Sequence, residues 1–494
     1  MSATSTVMAE PPTVAAEQTT APLMFGRFRT WLFLVGVVTI LTGLLFGYDQ
    51  GVISGALSFI AADFNLSTTL QEVVTSWVTL GALVGALLAG GLADQLGRQR
   101  TMVVAGILFA IGALGETLAP GTVVLVIARF VLGFGVGVAS VAGPLYAAEM
   151  APKRTRGRFV SSYQLAITIG ILLADIVDAV FSSSGAWRVM LGLSIVPGVL
   201  LVLVAAIMPD TPRWLMKVGR RADAKASLAK TLGGSNIDGQ LDKIAQELAA
   251  TTEASWREVF APAVRRALWV GVGLAVFQQV TGINAVIYYS DKIFALAGFS
   301  TPHQQTLATI LSVGVVNVLA TLIALAWIDS FGRKPLLYAG LIGMTVALVT
   351  IALAFATLDR RQPADGVPSV TGIVTLIAMV VYIASFAFSL GPVVWTLIAE
   401  IYPMRVRGKA MAVATACNWG AAFVVSATFL SIMNLIGEPL TFLIFAVLCV
   451  ITFWWVRAKV PETKGKSLEE IQEAWTEHDA GVAAGQVPAL PVEI

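Results

Sequence analysis

Charged residues, cysteine and histidine are all scarce in this chain of 494 residues. Asp, Glu, Lys and Arg make up 13% of it, about half the share typical of soluble domains, so an ordinary soluble globule is excluded. The two cysteines, Cys417 and Cys449, are too few for a disulfide framework or a metal cluster. The two histidines, His303 and His478, do not suffice for a catalytic site. The net charge of +2 does not indicate a nucleic-acid partner.

Long apolar runs dominate the sequence instead, and 57% of the residues are hydrophobic. A helix needs about 20 mostly apolar residues to cross a bilayer. None of the runs shows the short alternation of a membrane β-barrel. The sequence therefore predicts an all-α membrane protein with twelve transmembrane helices. The predicted spans are 31–60, 72–92, 101–119, 122–148, 159–181, 187–208, 267–295, 304–328, 335–357, 370–399, 410–435 and 438–457.

Lys and Arg residues concentrate in alternate loops, such as 153–158 and 405–409. Basic loops stay on the cytoplasmic side of a membrane, so we expect a multi-pass protein of the cell membrane with both termini in the cytoplasm. The expected organisation is a cytoplasmic tail at 1–30, a six-helix bundle at 31–208, a cytoplasmic helical linker domain at 209–266, a second six-helix bundle at 267–457 and a cytoplasmic tail at 458–494.

The two halves of the chain repeat the same short motifs. The charged segment 149–158 recurs at 400–409, and 209–212 recurs at 461–464 with nearly the same offset. Internal repeats of this kind are typical of transporters whose binding site lies between the two halves. We therefore expect two pseudo-symmetric bundles.

Eight motifs follow one another along the chain. They are Gly47-Tyr48-Asp49, Asp94…Gly97-Arg98, Arg129, Pro209-Asp210-Thr211-Pro212-Arg213, Gln278-Gln279-Val280-Thr281-Gly282-Ile283-Asn284, Gly391-Pro392…Trp395, Asn418-Trp419 and Pro461-Glu462-Thr463-Lys464-Gly465. In this order they resemble the sugar porter family of the major facilitator superfamily, from about residue 31 to 472. The resemblance implies two six-helix bundles that transport a monosaccharide by alternating access.

Several amide side chains lie at membrane depth in the second half. A buried amide needs a partner and faces the bundle interior, and a carboxamide both donates and accepts, which suits sugar hydroxyls. No ionisable residue lies near mid-depth in spans 7, 8, 10 and 11, which favours a neutral substrate. Alternatively, the amides only hold helices together. By the resemblance, Gln164, Gln278, Gln279, Asn284, Asn317, Trp395 and Asn418 contact the sugar, and Phe46, Phe386 and Trp419 form an aromatic wall.

Two spans must bend for these residues to face one site. Gln279 and Asn284 lie about 140° apart on a straight helix, so we expect a break at Thr281-Gly282. Phe386 and Trp395 lie on opposite faces of span 10, and the Gly-Pro pair between them predicts a kink.

Asp49 and Arg129 are charged residues inside spans 1 and 4, where a lone charge costs at least about 2.5–3.5 kcal/mol. We expect them to pair. The pair is either a static contact that fixes the bundle or a proton switch. The resemblance favours the switch, because proton-coupled members of the family have an Asp at this place and uncoupled glucose carriers have an uncharged residue.

Further charged residues lie at the predicted cytoplasmic ends of the spans. They act as a topology signal, or, as the resemblance implies, form a salt-bridge network between the halves that closes the inside when the carrier faces outward. These candidate gate residues are Arg98, Glu149, Arg156, Arg333, Glu400 and Arg407. Asp175 and Asp178 could line an outer vestibule, but the sequence assigns them no role.

The sequence thus predicts a transporter rather than an enzyme, importing a neutral monosaccharide, such as the hexose glucose, by proton symport. The proton gradient drives the cycle, so no cofactor is expected. The expected partners are the sugar, protons and the lipid bilayer, with the protein as a monomer. An uncoupled facilitator and a sugar sensor that does not transport remain alternatives. A membrane enzyme is disfavoured, because no nucleophile–base set appears.

Overall fold

The computed structural model describes residues 27–152, 156–232, 236–250, 255–357, 368–403, 405–464 and 470. These residues contain helices and no strand. Twelve helical stretches within them are long and apolar enough to cross a membrane, and their bounds agree closely with the predicted spans. The predicted fold class is confirmed. The predicted terminal tails lie largely outside the described residues.

The N-terminal half forms its six spans from seven helices, because the sixth span is interrupted at Leu193 and Ser194. Pro197 lacks the N–H that would bond the Leu193 carbonyl, which accounts for the interruption. The helices are α1 (Arg27–Asp63), α2 (Thr68–Leu96), α3 (Arg98–Thr117), α4 (Thr122–Met150), α5 (Arg156–Phe181), α6 (Trp187–Gly192) and α7 (Ile195–Ile207).

Glycines allow α2 and α4 to pack backbone against backbone. A Cβ atom on Gly81 would lie 2.2 Å from the carbonyl oxygen of Phe130, and one on Gly133 would lie 2.0 Å from the carbonyl oxygen of Val78. Small residues permit such close approach between membrane helices. A larger side chain at either position would push apart the helices that hold Arg129 in the bundle interior.

Four short helices connect the halves. Trp214, Leu215 and Leu228 belong to a small apolar core of their own. We call the end of the bundle where these helices lie the linker end, and the opposite end, where α1 meets α2, the distal end. The connecting helices are α8 (Pro212–Lys217), α9 (Arg221–Leu232), α10 (Ile237–Ala250) and α11 (Trp256–Val259).

The C-terminal half contains six further spans, three of which are interrupted. A π-helical segment, Ile310–Val315, lies inside span 8. The α-helices of this half are α12 (Pro262–Val280), α13 (Ile283–Tyr288), α14 (Ser290–Leu296), α15 (Pro302–Thr309), α16 (Val316–Phe331), α17 (Arg333–Thr357), α18 (Val370–Phe388), α19 (Leu390–Ile401), α20 (Arg407–Ile436) and α21 (Glu438–Lys459).

The predicted breaks in spans 7 and 10 are present. Gly282 separates α12 from α13 with a φ of 99°, a left-handed conformation that glycine adopts without strain. Span 10 breaks at Ser389, next to the predicted Gly-Pro pair, since Pro392 cannot donate to the Phe388 carbonyl. The π-helical segment of span 8 was not expected, because hydrophobic periodicity carries no signal for one wide turn. Such segments are frequent at functional sites.

Candidate functional site

Three of the predicted amides form one hydrogen-bonded cluster between α12 and α20. The Oε1 atom of Gln278 accepts a bond of 2.8 Å from Asn418 Nδ2 and a longer one of 3.4 Å from Gln279 Nε2. Gln279 Nε2 also donates to Asn418 Oδ1 at 3.2 Å. All three side chains are buried, so the protein itself holds the cluster in place.

Gln278 and Gln279 differ in how many of their side-chain hydrogen-bonding atoms have a partner within the protein. Gln278 Nε2 donates to the Leu390 carbonyl at 2.8 Å, which ties α12 to the start of α19 and engages both ends of the amide. The Oε1 atom of Gln279 is buried and has no hydrogen-bond partner within the described part of the chain. Because buried acceptors are rarely left unpaired, Gln279 is suited to accept a bond from a ligand, whereas Gln278 positions the cluster.

Asn284 contacts the opposite half of the molecule. Gln50 Nε2, on α1, donates to Asn284 Oδ1 at 3.0 Å and lies 3.5 Å from the hydroxyl of Tyr288. Gln50 directly follows Asp49 and was missed by the sequence analysis. The available signal was an amide inside a strongly apolar span. The contact joins α13, which carries part of the site, to the helix that carries Asp49.

Aromatic rings from both halves lie beside the amide cluster. Phe46 of α1 and Trp419 of α20 have ring centroids 5.0 Å apart, and Trp419 directly follows Asn418 in the chain. A Cβ atom on Gly391 would lie 3.5 Å from the ring of Phe386, so this ring lies at the break in span 10. Trp395 is partly buried against the main core. Trp419 thus adjoins the cluster along α20, and Phe386 adjoins it through Gly391, whose carbonyl lies 3.4 Å from Gln278 Nε2.

Besides Asn284, two predicted amides lie outside the cluster. Gln164 on α5 is half-buried, and Asn317 at the start of α16 is buried. Neither side chain has a hydrogen-bond partner among the residues that the structure describes. Asn317 lies two residues after the end of the π-helical segment. Both amides therefore keep donors and acceptors available to a ligand or to water.

Arg129 lies between two carboxyl groups in the interior of the N-terminal half. Its Nη2 atom is 3.5 Å from Asp49 Oδ1, as expected, and its Nη1 atom is 3.5 Å from Glu116 Oε1. All three residues are buried. Glu116 was missed because it lies one residue from the end of α3, where a carboxylate normally meets solvent. Fully ionised, this cluster carries one net negative charge.

Polar contacts join the two halves at the distal end. Glu72 of α2 is buried and accepts bonds from the backbone N–H of Ser431 at 2.7 Å and from its hydroxyl at 2.5 Å. The hydroxyls of Ser54 and Ser290 lie 2.8 Å apart. These contacts close the distal end.

Asp175 and Asp178 are buried near the same interface, so they line no open vestibule in this conformation. Asp178 Oδ2 accepts the backbone N–H of Gly55 at 3.1 Å. Asp291, which the sequence analysis did not single out, is also buried and accepts the hydroxyl of Thr309 at 2.5 Å. The distal interface thus contains several carboxyl groups.

The linker end shows the same charge arrangement in both halves. Arg98 Nε lies 3.2 Å from Glu149 Oε2, and Arg333 Nη2 lies 2.9 Å from Glu400 Oε1. The second oxygen of Glu400 accepts the Thr463 hydroxyl at 2.5 Å, and the equivalent threonine bonds the glutamate of the first half in the same way. The sequence repeat is therefore also a repeat of contacts.

Asp210 and Glu462 cap the helices that carry the two arginines. Asp210 accepts the backbone N–H of Arg98 at 3.0 Å, and Glu462 accepts those of Arg333 at 3.1 Å and Lys334 at 2.9 Å. A carboxylate at a helix N-terminus is favoured by the helix dipole. Burial raises the pKa of Asp210. At Glu462 burial acts in the same direction, but the backbone N–H groups outweigh it and hold the pKa below its usual value.

In this conformation the arginine–glutamate contacts lie within each half, and the network between the halves expected in an outward-facing carrier stays a prediction. Each arginine–glutamate pair joins residues of one half. Arg98 begins α3 beside the end of α4, which carries Glu149, and Arg333 begins α17 beside the end of α19, which carries Glu400. Arg407 Nε donates to the Tyr402 carbonyl at 3.1 Å, so this contact also stays within one half. The side chain of Arg156 lies outside the described residues.

Comparison with known proteins is consistent with this architecture. The family model described as "Sugar (and other) transporter" matches residues 35–475. The galactose-proton symporter of Escherichia coli (strain K12) is 41% identical over 447 residues, which cover 90% of this chain and 94% of that protein.

Two solved structures share the fold over most of the chain. The major facilitator superfamily proton:xylose symporter XylE, bound to 6-bromo-6-deoxy-D-glucose, has a TM-score of 0.73 at 32% identity, covering 91% of this chain and 100% of that one. The inward open conformation of the xylose transporter XylE from E. coli has a TM-score of 0.76 at 32% identity, covering 90% and 100%. The chain belongs to the sugar porter family of the major facilitator superfamily, a family of multi-pass membrane transporters.

Proposed function

We propose that this protein imports a neutral monosaccharide together with a proton, by alternating access. The observation that carries the proposal is the buried amide cluster with its unpaired acceptor on Gln279, at the break of span 7. A second buried cluster, around Arg129, lies in the opposite half. The relatives named as proton symporters of galactose and xylose support coupling to protons.

The chemistry of the candidate site suits a sugar. Gln279 and Asn317 offer amide groups to hydroxyls, while Phe46 and Trp419 can cover the apolar C–H face of the ring. The substrate is a hexose such as glucose. By family resemblance, Asn418, where some relatives carry the longer Gln, favours this size.

Asp49 is the proton carrier in this proposal. Protonation removes its charge and weakens its contact with Arg129, so α1 becomes freer to move against α4. Gln50, next along α1, holds Asn284 at 3.0 Å and passes this movement to the sugar site. A proton and a sugar act together only if both favour the same conformation. One entering proton gains about 2.3 kcal/mol per 100 mV of inside-negative potential, and tenfold sugar accumulation costs about 1.4 kcal/mol.

The linker end is the cytoplasmic end in this proposal, because Lys and Arg concentrate there. Both termini are then cytoplasmic, and the closed distal end faces the outside of the cell membrane. The structure accordingly represents an inward-facing state. The protein acts as a monomer in this proposal. It needs no cofactor, since the proton gradient supplies the energy.

Uptake by purified protein in proteoliposomes tests the proposal. A panel of hexoses and pentoses is supplied outside, with and without an inward proton gradient. We expect one or more sugars, glucose among them, to accumulate above the outside concentration only with the gradient, and a protonophore to abolish accumulation. Equilibration without accumulation would indicate an uncoupled facilitator. Sugar binding without any transport would indicate a sensor.

A further inference from the structure

Arg129 has two carboxyl neighbours, although one would neutralise it. Its guanidinium lies 3.5 Å from both Asp49 and Glu116, which come from different helices, α1 and α3. Burying a charge that lacks a compensating partner is costly. With both carboxyls ionised, the cluster has one negative charge in excess, and a single bound proton brings it to zero.

The two contacts of Arg129 differ in hydrogen-bond geometry. The contact from Arg129 Nη1 to Glu116 has hydrogen-bond geometry. On the other side, the facing atoms Arg129 Nη2 and Asp49 Oδ1 have no hydrogen-bond partner within the described part of the chain. In this conformation Glu116 therefore retains the arginine, while Asp49 is held more loosely.

We propose that Glu116 is a second coupling carboxyl, which keeps Arg129 neutralised while Asp49 binds and releases one proton. This inference rests on the proposed symport and adds a residue to it. The proton comes from outside and forms an O–H bond on the Asp49 carboxylate. Arg129 stays charged and paired with Glu116, and the O–H bond breaks when the proton leaves to the cytoplasm. The cluster moves between one negative charge and zero, which sets one proton per cycle.

Among the residues that the structure describes, no third carboxyl group faces Arg129. The hydroxyls of Tyr288, at the end of α13, and of Tyr289, between α13 and α14, are the other titratable groups that act on Arg129. Tyr289 donates its hydroxyl proton to the Ser426 carbonyl at 2.8 Å. Within the described residues, the negative charge at this arginine comes from the two carboxyls.

The test is the external pH dependence of gradient-driven uptake in Glu116→Gln. This variant keeps the side-chain shape but leaves Asp49 and Arg129 as a neutral pair, so a proton would create a buried positive charge. We expect half-maximal uptake to shift by about one pH unit or more to lower external pH. Glu116→Asp keeps the negative charge, so its pH profile should lie close to that of the parent protein. Asp63→Asn, a half-exposed carboxyl at the distal end paired with Arg188, is the control and should leave the profile unchanged.

A thermal-stability cycle adds a readout that does not depend on transport. Asp49→Asn and Glu116→Gln each leave Arg129 with one carboxyl, whereas the double variant leaves it with none. We expect the double variant to lose more thermal stability than the two single losses combined. A parental pH profile in Glu116→Gln, or additive losses in the cycle, would overturn the inference. Symport itself fails only if the parent protein shows no proton-driven accumulation, so the two failures are distinguishable.

Discussion

The contrast between Gln278 and Gln279 can be tested by removing each amide in turn. Gln278 makes a 2.8 Å bond to the Leu390 carbonyl and receives another from Asn418. Gln278→Ala therefore loses two good hydrogen bonds within the protein. At about 0.5–1.5 kcal/mol each, the variant should lose about 1–3 kcal/mol of folding stability.

Gln279→Ala removes only the 3.2 Å and 3.4 Å bonds from the protein, but it also removes the unpaired acceptor. A bound sugar hydroxyl left without this acceptor weakens the free energy of sugar binding by about 1–3 kcal/mol. This loss corresponds to a fall in affinity of roughly 5- to 150-fold. We expect the thermal stability of Gln279→Ala to change less than that of Gln278→Ala.

Isothermal titration with the transported sugar and thermal unfolding of the same preparations measure the two effects side by side. Thr357→Ala, a change at the exposed end of α17 whose hydroxyl bonds the Leu353 carbonyl of the same helix, is the control for handling and detergent. Unchanged sugar affinity in Gln279→Ala would place the site elsewhere. A large affinity loss in Gln278→Ala at parental stability would reverse the roles of the two glutamines.

Two further predictions follow from contacts on either side of the site. Gln50→Ala and Asn284→Ala should each weaken sugar binding. In a double-mutant cycle on binding affinity the pair should couple by about 0.5–1.5 kcal/mol, and strictly additive effects would remove Gln50 from the coupling route. Glu400→Gln loses its 2.9 Å pair with Arg333, and should slow sugar exchange more than it weakens equilibrium binding. Cytoplasmic cysteine accessibility identical to that of the parent would contradict a gate role for Glu400.

The twelve spans and the breaks in spans 7 and 10 were predictable because each has a local cause. Apolar length defines a span, and Gly282 and Pro392 mark interruptions in the sequence itself. The repeat of acid and threonine after spans 6 and 12 likewise marks equivalent caps at Asp210 and Glu462. The π-helical segment of span 8 depends on packing around it, so no residue pattern indicated it.

Partners of the site residues were harder to predict than the residues themselves. Asp49 and Arg129 stood out as charges in apolar spans, but Glu116 lies near a helix end and looked like a surface residue. Gln50 belongs to no motif, and its contact with Asn284 depends on how the two halves pack. The pairing of Arg333 with Glu400 depends on how α17 packs against α19 within the C-terminal half.

Asp49→Asn in proteoliposomes tests the central claim of proton coupling most directly. The variant keeps the shape of the side chain but fixes it in a neutral state. Arg129 retains Glu116 as a partner, so the protein should stay folded. We predict that sugar counterflow continues while accumulation driven by a pH gradient is lost. Persistent proton-driven accumulation would contradict the account and reduce Asp49 to a structural residue.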